Sequence, residues 1–199
     1  MRAGSRRRPN NRINVAFNSA SDRAKLLSAD ECEAVIRWAK AHAADWTREC
    51  KTVSADVDDV FKMYSIIGIS HDSKDKDVGW LPRRFADKLT SMNPDIWDFD
   101  IDEMSDVFIL RYGVNDHFDL HMDLGEGYWD RKLSMLVQLS APDSYEGGAL
   151  EFGFGPAAVA SREQGSLLVF PAWVPHRVTP ITSGTRYIAG CFALGPSFR

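Results

Sequence analysis

An imidazole and a carboxylate stand two residues apart at His121 and Asp123, and a second imidazole, His176, ends the almost wholly apolar run Gly165-Ser-Leu-Leu-Val-Phe-Pro-Ala-Trp-Val-Pro-His176. On one strand, His121 and Asp123 point to the same face while Met122 turns toward the opposite layer. Such a triplet alone is weak, because chance produces it often. A histidine at the mouth of a buried strand, however, needs partners for both ring nitrogens, and a metal supplies one. Two imidazoles and one carboxylate form a facial triad with three positions left open, which is what iron(II) needs to hold a bidentate keto acid and then dioxygen. Structural zinc would close four ligands, usually with thiolates, and none is near in sequence.

Ten residues beyond His176 lies Arg186, in the mostly apolar run Thr-Arg-Tyr-Ile-Ala-Gly. A strand of that kind would hardly bury a guanidinium without an anion to meet it. Arginine gives the far carboxylate of 2-oxoglutarate a bidentate, oriented partner at a fixed distance from the metal. His117 shares strand parity with His121, and we expect it to be a rim or supporting residue beside a complete triad. Asp116, Asp119 and Glu126 put acidic charge near the site, which favours a cationic or neutral substrate over a nucleic acid.

Positioning these groups falls to short runs of β-branched, aromatic and aliphatic residues after residue 100, broken by Gly, Pro, Asp and Asn. That texture suits an antiparallel barrel or sandwich. Expected strands are Asp106–Tyr112, Phe118–Asp123, Lys132–Ser140, Ala149–Phe152, Ser166–Phe170, Arg177–Pro180 and Thr185–Ala193, with Ile13–Phe17 and Val60–Ile69 as earlier extensions. Ser28-Ala-Asp-Glu31 reads as a capping box opening a helix that runs to about Ala43, its stripe formed by Val35, Ile36, Trp38 and Ala39. A second helix is expected from near Pro82, with Phe85, Leu89 and Met92 on one side. His71–Asp77 is charged, has no apolar anchor and reads as a mobile loop.

A chain of 199 residues, 44% hydrophobic, supports one sizeable core. We expect a disordered basic arm over residues 1–12, which holds five arginines and no acid, and a single domain over 13–199 with its β core at about 104–195. The net charge of -4 argues against a general nucleic-acid surface; weak contacts of the arginine arm are the exception. No apolar run approaches the ~18 residues of a membrane span, and the basic start is not followed by a secretory core, so a soluble, cytoplasmic protein is expected. Three widely spaced cysteines suggest neither disulfides nor zinc, and Cys191 reads as a small core residue.

From about Asn93 onward the chain resembles the prolyl 4-hydroxylase-like and PKHD-type hydroxylases of the 2-oxoglutarate/Fe(II)-dependent oxygenase superfamily. The matching stretches are Arg111-Tyr-Gly-Val-Asn-Asp-His-Phe-Asp-Leu-His-Met-Asp123, Arg131-Lys-Leu-Ser-Met-Leu-Val-Gln-Leu-Ser140, Tyr145-Glu-Gly-Gly-Ala-Leu150, Phe170-Pro-Ala-Trp-Val-Pro-His-Arg-Val-Thr-Pro180 and Ser183-Gly-Thr-Arg186. The resemblance implies a mainly β fold with flanking helices: a double-stranded β-helix, jelly-roll and cupin-like, with the N-terminal helices packed on the major sheet. It implies metal ligands His121, Asp123 and His176, and 2-oxoglutarate held by Arg186 and Tyr112. Gln138, where many prolyl hydroxylase relatives carry tyrosine, and Ser134 on the same strand face are lesser candidates. Trp129, Trp173 and Arg177 flank the triad and are expected to line the substrate cleft. Gly147-Gly148 resembles the family's turn toward the barrel mouth.

The implied activity is hydroxylation of an unactivated C–H bond, with release of succinate and CO2. Iron(II) is the cofactor, 2-oxoglutarate and O2 are cosubstrates, and ascorbate is a candidate addition. The implied substrate is a prolyl or other amino-acid residue in a peptide or protein; a free amino acid or small natural-product intermediate is the alternative. Two rivals stay open: a non-catalytic β-barrel that binds metal or ligand, and a cupin-type metal enzyme without keto acid, which would normally use more histidine ligands.

Overall fold

The structure is a computed structural model, and it describes residues 25–54, 57–125, 127–153 and 158–197. The basic arm, the expected strand Ile13–Phe17 and Glu126 lie outside the described residues.

Among the described residues, two α-helices lie before residue 100. Helix α1 spans Ala29–Ala41, and α2 spans Leu81–Ile96. The capping box is present: Ser28 Oγ accepts from the Glu31 amide and the Glu31 carboxylate from the Ser28 amide, at 3.2 and 2.8 Å. These bonds satisfy donors that a helix start would otherwise leave orphaned. Cys32, Val35, Ile36 and Ala39 form the buried stripe of α1, and Leu81, Pro82, Phe85, Leu89 and Met92 that of α2. Arg84 of α2 pairs with Glu31 at 2.9 Å and locks the two helices together.

The strands are β1 (Thr47–Ser54), β2 (Val57–Ile69), β3 (Glu103–Met104), β4 (Val107–Tyr112), β5 (His117–His121), β6 (Arg131–Gln138), β7 (Tyr145–Gly147), β8 (Leu150–Phe152), β9 (Ala158–Val159), β10 (Leu167–Pro171), β11 (His176–Val178), β12 (Ile181–Gly184) and β13 (Arg186–Leu194). Antiparallel pairing runs β10-β6-β13-β4-β2-β5-β11-β8-β9, with β1 on β2 and β3 on β13, while β12 and β7 form a separate pair. This is the mainly β architecture with flanking helices that the sequence predicts.

Period-2 alternation sorts side chains into two layers. One face, formed by Val107, Ile109, Leu133, Met135, Val137, Leu167, Val169, Ala189, Cys191 and Ala193, packs under the helix stripes. Alternate positions such as Leu110, Tyr112, Leu168, Phe170 and Ile188 face the barrel interior, joined by Tyr64, Tyr145, Leu150, Phe152, Val174, Val178 and Ile181. The buried polar residues Ser134, Gln138 and Arg186 share parity with this interior set. The fold thus reserves one face for helix docking and the other for an interior layer that holds these polar groups.

Several expectations need correction. Strand β1 was not expected, and β2 is longer than Val60–Ile69. The expected strand Arg177–Pro180 is β11, His176–Val178, followed by the separate β12. Segment His71–Asp77 is tied down rather than loose: Asp75 accepts from Trp38 Nε1 at 2.9 Å and from the amides of Asp77 and Val78, and His71 pairs with Asp106 at 3.0 Å. Polar anchors there replace the apolar one that is missing from the sequence.

Candidate metal and cosubstrate site

The ligand atoms of His121, Asp123 and His176 all lie within 4.8 Å of one another. Strand pairing does most of this, because His176 of β11 stands directly opposite His121 of β5. Their ring centroids are 4.2 Å apart. Between these strands the register slips by one residue, so Val178 pairs with Phe118 while His176 pairs with His121. A bulge of this kind reverses parity along the bulged strand. Phe118 therefore reaches the face of His121 and stacks on its ring, with centroids 3.5 Å apart and planes 9° apart. The parity expected between His117 and His121 does not survive the slip.

Asp123 reaches the cluster by another route than shared strand geometry. Strand β5 ends at His121, and Asp123 lies in the following bend, where its amide and that of Leu124 both donate to the Ala172 carbonyl at 2.9 Å. Met122 is 53% exposed instead of entering the opposite layer. Asp123 Oδ1 is 3.8 Å from His121 Nε2, and Oδ2 is 3.6 Å from His176 Nε2. Ser134 Oγ donates to Asp123 Oδ2 at 2.5 Å.

Both imidazoles point Nε2 inward because Nδ1 is committed elsewhere. His121 Nδ1 lies 2.7 Å from the Asp119 carbonyl, and His176 Nδ1 lies 2.9 Å from that of Val174. A carbonyl only accepts, so each Nδ1 carries a proton and Nε2 is the nitrogen left to offer a lone pair. Burial, with the His176 ring close by, pushes the His121 pKa down to about 4. At neutral pH His121 is therefore unprotonated. Two inward-facing imidazole Nε2 atoms and a carboxylate, each side chain held by a second bond, fit a divalent transition metal.

On the interior face of the sheet, Arg186 stands opposite Tyr112 in the β13–β4 pairing. Arg186 is 5% exposed, donates from Nε to Gln138 Oε1 at 3.1 Å, and has Nη1 buried without a partner among the described residues. Desolvation lowers its pKa, while the phenols of Tyr145 and Tyr112 work in the opposite direction. A buried cation with an unused donor is costly, and a carboxylate would satisfy it. Gly148, at φ +59°, leaves the necessary room, since a Cβ there would sit 2.3 Å from Ile181 Cδ1 and 3.3 Å from Arg186 Cδ.

The other expected residues have these surroundings. The Gln138 oxygen faces Arg186 and its nitrogen faces Ser140 O and Tyr145 Oη, both at 3.2 Å, so the amide serves the arginine. Ser134 is engaged with Asp123. Trp129 is 58% exposed, Trp173 is half-buried with its ring 5.6 Å from Phe99, and Arg177 pairs with Glu151 at 2.7 Å on the surface. Asp116 adds no open acidic charge: it is buried, and both its oxygens bond the Arg48 guanidinium. Sequence reasoning assigned no role to Tyr145 or Phe118. Tyr145 stood inside a quoted matching stretch, while Phe118 gave no signal without knowledge of the bulge.

Residues 107–193 match the family model described as the 2OG-Fe(II) oxygenase superfamily. A PKHD-type hydroxylase of Gloeothece citriformis is 36% identical over 83 residues, 40% of this chain and 38% of that protein. Another, of Hyphomonas neptunium, is 37% identical over 83 residues, 38% of this chain and 37% of that one. The chain thus spans well under half the length of the curated relatives it matches. Among solved structures, a prolyl-4-hydroxylase of Pseudomonas putida superposes with a TM-score of 0.69 at 17% identity, over 87% of this chain and 91% of that one. A prolyl hydroxylase of Trichoplax adhaerens, in complex with a hypoxia inducible factor oxygen degradation domain peptide fragment, gives 0.70 at 15% identity, over 85% and 80%. These likenesses show the fold, the double-stranded β-helix expected from the sequence. The stretch that builds the barrel and carries the His-Asp-His cluster matches the 2OG-Fe(II) oxygenase superfamily, and the chain resembles its PKHD-type and prolyl 4-hydroxylase members.

Proposed function

We propose that this protein is a 2-oxoglutarate-dependent non-haem iron dioxygenase that hydroxylates a prolyl or other amino-acid residue of a peptide or protein. The observation that carries the reading is the convergence of His121, Asp123 and His176 within 4.8 Å. The unpartnered Arg186 Nη1 adds the anion site that a simple metal-binding barrel would not need. Iron(II) with 2-oxoglutarate supplies, when bound, oxidation of a C–H bond coupled to decarboxylation of the keto acid to succinate. His121 and His176 would bind the metal through Nε2 and Asp123 through a carboxylate oxygen. Arg186, with Tyr112 packed opposite it, would hold the far carboxylate, and the apolar interior excludes water from the reacting centre.

A peptide substrate is supported by the Trichoplax relative, whose structure is a complex with a peptide fragment. It is supported also by the exposed side chains of Leu120, Met122, Tyr128 and Trp129, which flank the cluster in sequence and offer apolar surface for an extended ligand. Fold likeness alone does not choose a substrate.

The test is anaerobic addition of iron(II) and then 2-oxoglutarate. A weak visible charge-transfer band that decays in air, with succinate formed, is expected in the wild type and absent in Asp123→Ala. Metal binding without that band or succinate would favour the non-catalytic barrel, and succinate formation unchanged in Asp123→Ala would remove the assignment.

A further inference from the structure

The polar groups around Arg186 admit one assignment of donors and acceptors. A guanidinium has only donors, so the oxygen of Gln138 must face Arg186 Nε, 3.1 Å away. The Gln138 nitrogen is thereby turned to Tyr145 Oη, which accepts from it at 3.2 Å. The phenol then keeps its own proton to donate. Arg186 Nη1 is a second buried donor, with no partner among the described residues. Tyr145 Oη also lies close enough to Arg186 to accept a hydrogen bond from its guanidinium and to oppose the effect of burial on its charge, which still leaves the phenol proton to donate. A carboxylate has the geometry and the charge to accept from both adjacent buried donors.

Tyr145 is firmly held. It is 3% exposed, Arg162 stacks over its ring at 4.2 Å, and Arg162 Nη2 donates to its carbonyl at 2.7 Å. Gly184, at φ +75°, lets β12 approach so closely that a Cβ there would lie 2.9 Å from Tyr145 Cα. Such fixed placement suits a group that binds, because little freedom remains to be lost.

We propose that Tyr145 is a cosubstrate-binding residue whose hydroxyl donates, together with Arg186 Nη1, to the far carboxylate of the keto diacid, while Gln138 is the positioning residue that aligns both. The inference rests on the proposed 2-oxoglutarate reading and adds the residue that helps to select a diacid. Calorimetry on the Mn(II)-loaded protein tests it, with 2-oxoglutarate and with oxalate, which can chelate the metal but has no far carboxylate. Tyr145→Phe should weaken 2-oxoglutarate binding about tenfold, as expected for a lost hydrogen bond to a charged group, and leave oxalate and Mn(II) affinity unchanged. Unchanged 2-oxoglutarate affinity, or an equal loss for both ligands, would overturn the assignment. Gln138→Met should give a smaller loss confined to 2-oxoglutarate, and a loss shared with oxalate would refute its positioning role. A wild-type protein that binds Mn(II) and oxalate but not 2-oxoglutarate would defeat the cosubstrate reading itself, a result distinct from failure of the Tyr145 variant alone.

Discussion

The hydroxyl of Ser134 touches Asp123 at Oδ2, 2.5 Å away, on the carboxylate oxygen that also lies 3.6 Å from His176 Nε2. Oδ1 faces His121 instead. A bond to one oxygen fixes the carboxylate plane and leaves the other oxygen unencumbered for a metal. Bonds of this kind to a ligand typically account for 10- to 100-fold in metal affinity. Ser134→Ala should therefore lower Fe(II) affinity by at least about tenfold, measured by anaerobic titration, with Ser134→Thr restoring it. Affinity unaltered in the alanine variant would reduce the contact to packing. The face occupied by Ser134 and Gln138 could be read from strand parity, but their partners could not: alternation decides which side of a sheet a group faces, whereas its hydrogen bonds depend on which strand lies alongside. Both residues were expected to reach the keto acid, and both instead serve a residue of the site.

Helices were the most legible elements, because capping residues and a 3.6-residue stripe are local signals. Ser28, Glu31 and the Val35, Ile36 and Ala39 stripe of α1 lie where the sequence puts them. Since α1 packs on the face of the sheet opposite the site, its stability should be separable from function. Ser28→Ala should cost about 1 kcal/mol, read from the denaturation midpoint, with metal and 2-oxoglutarate affinities unchanged; a loss of metal affinity of comparable size would show that helix docking and site geometry are coupled. Strands were less legible. The runs feeding β4, β10 and β13 are largely apolar and stand out, as does the apolar face of β6, but β1, with the sequence Thr-Arg-Glu-Cys-Lys-Thr-Val-Ser, is too polar to signal a strand and exists because β2 pairs with it. The slip between β5 and β11 was equally hidden, since a bulge comes from how two distant strands meet. It matters most, for it brings Phe118 rather than His117 beside His121.

For the molecule as a whole, the barrel interior holds a cluster of potential metal ligands, His121, Asp123 and His176, and a buried Arg186 Nη1 with no partner among the described residues. Groups desolvated in this way make the ligand-free fold less stable than it could be, and whatever satisfies them binds the folded state and not the unfolded chain. Among the described residues no helix is long and apolar enough to cross a membrane. Mn(II) at about 100 times its dissociation constant adds roughly 2.7 kcal/mol. For a chain of 199 residues that is a rise in Tm of roughly 5 to 10 °C. The increment should vanish in Asp123→Ala, and 2-oxoglutarate added after the metal should raise Tm further in the wild type but not in Arg186→Gln. Two separable increments, one removed by each variant, require that metal and diacid are held by different residues. If the Arg186 variant kept the second increment, the far carboxylate would have to be held elsewhere; if the Asp123 variant kept the first, the metal would not be at the triad.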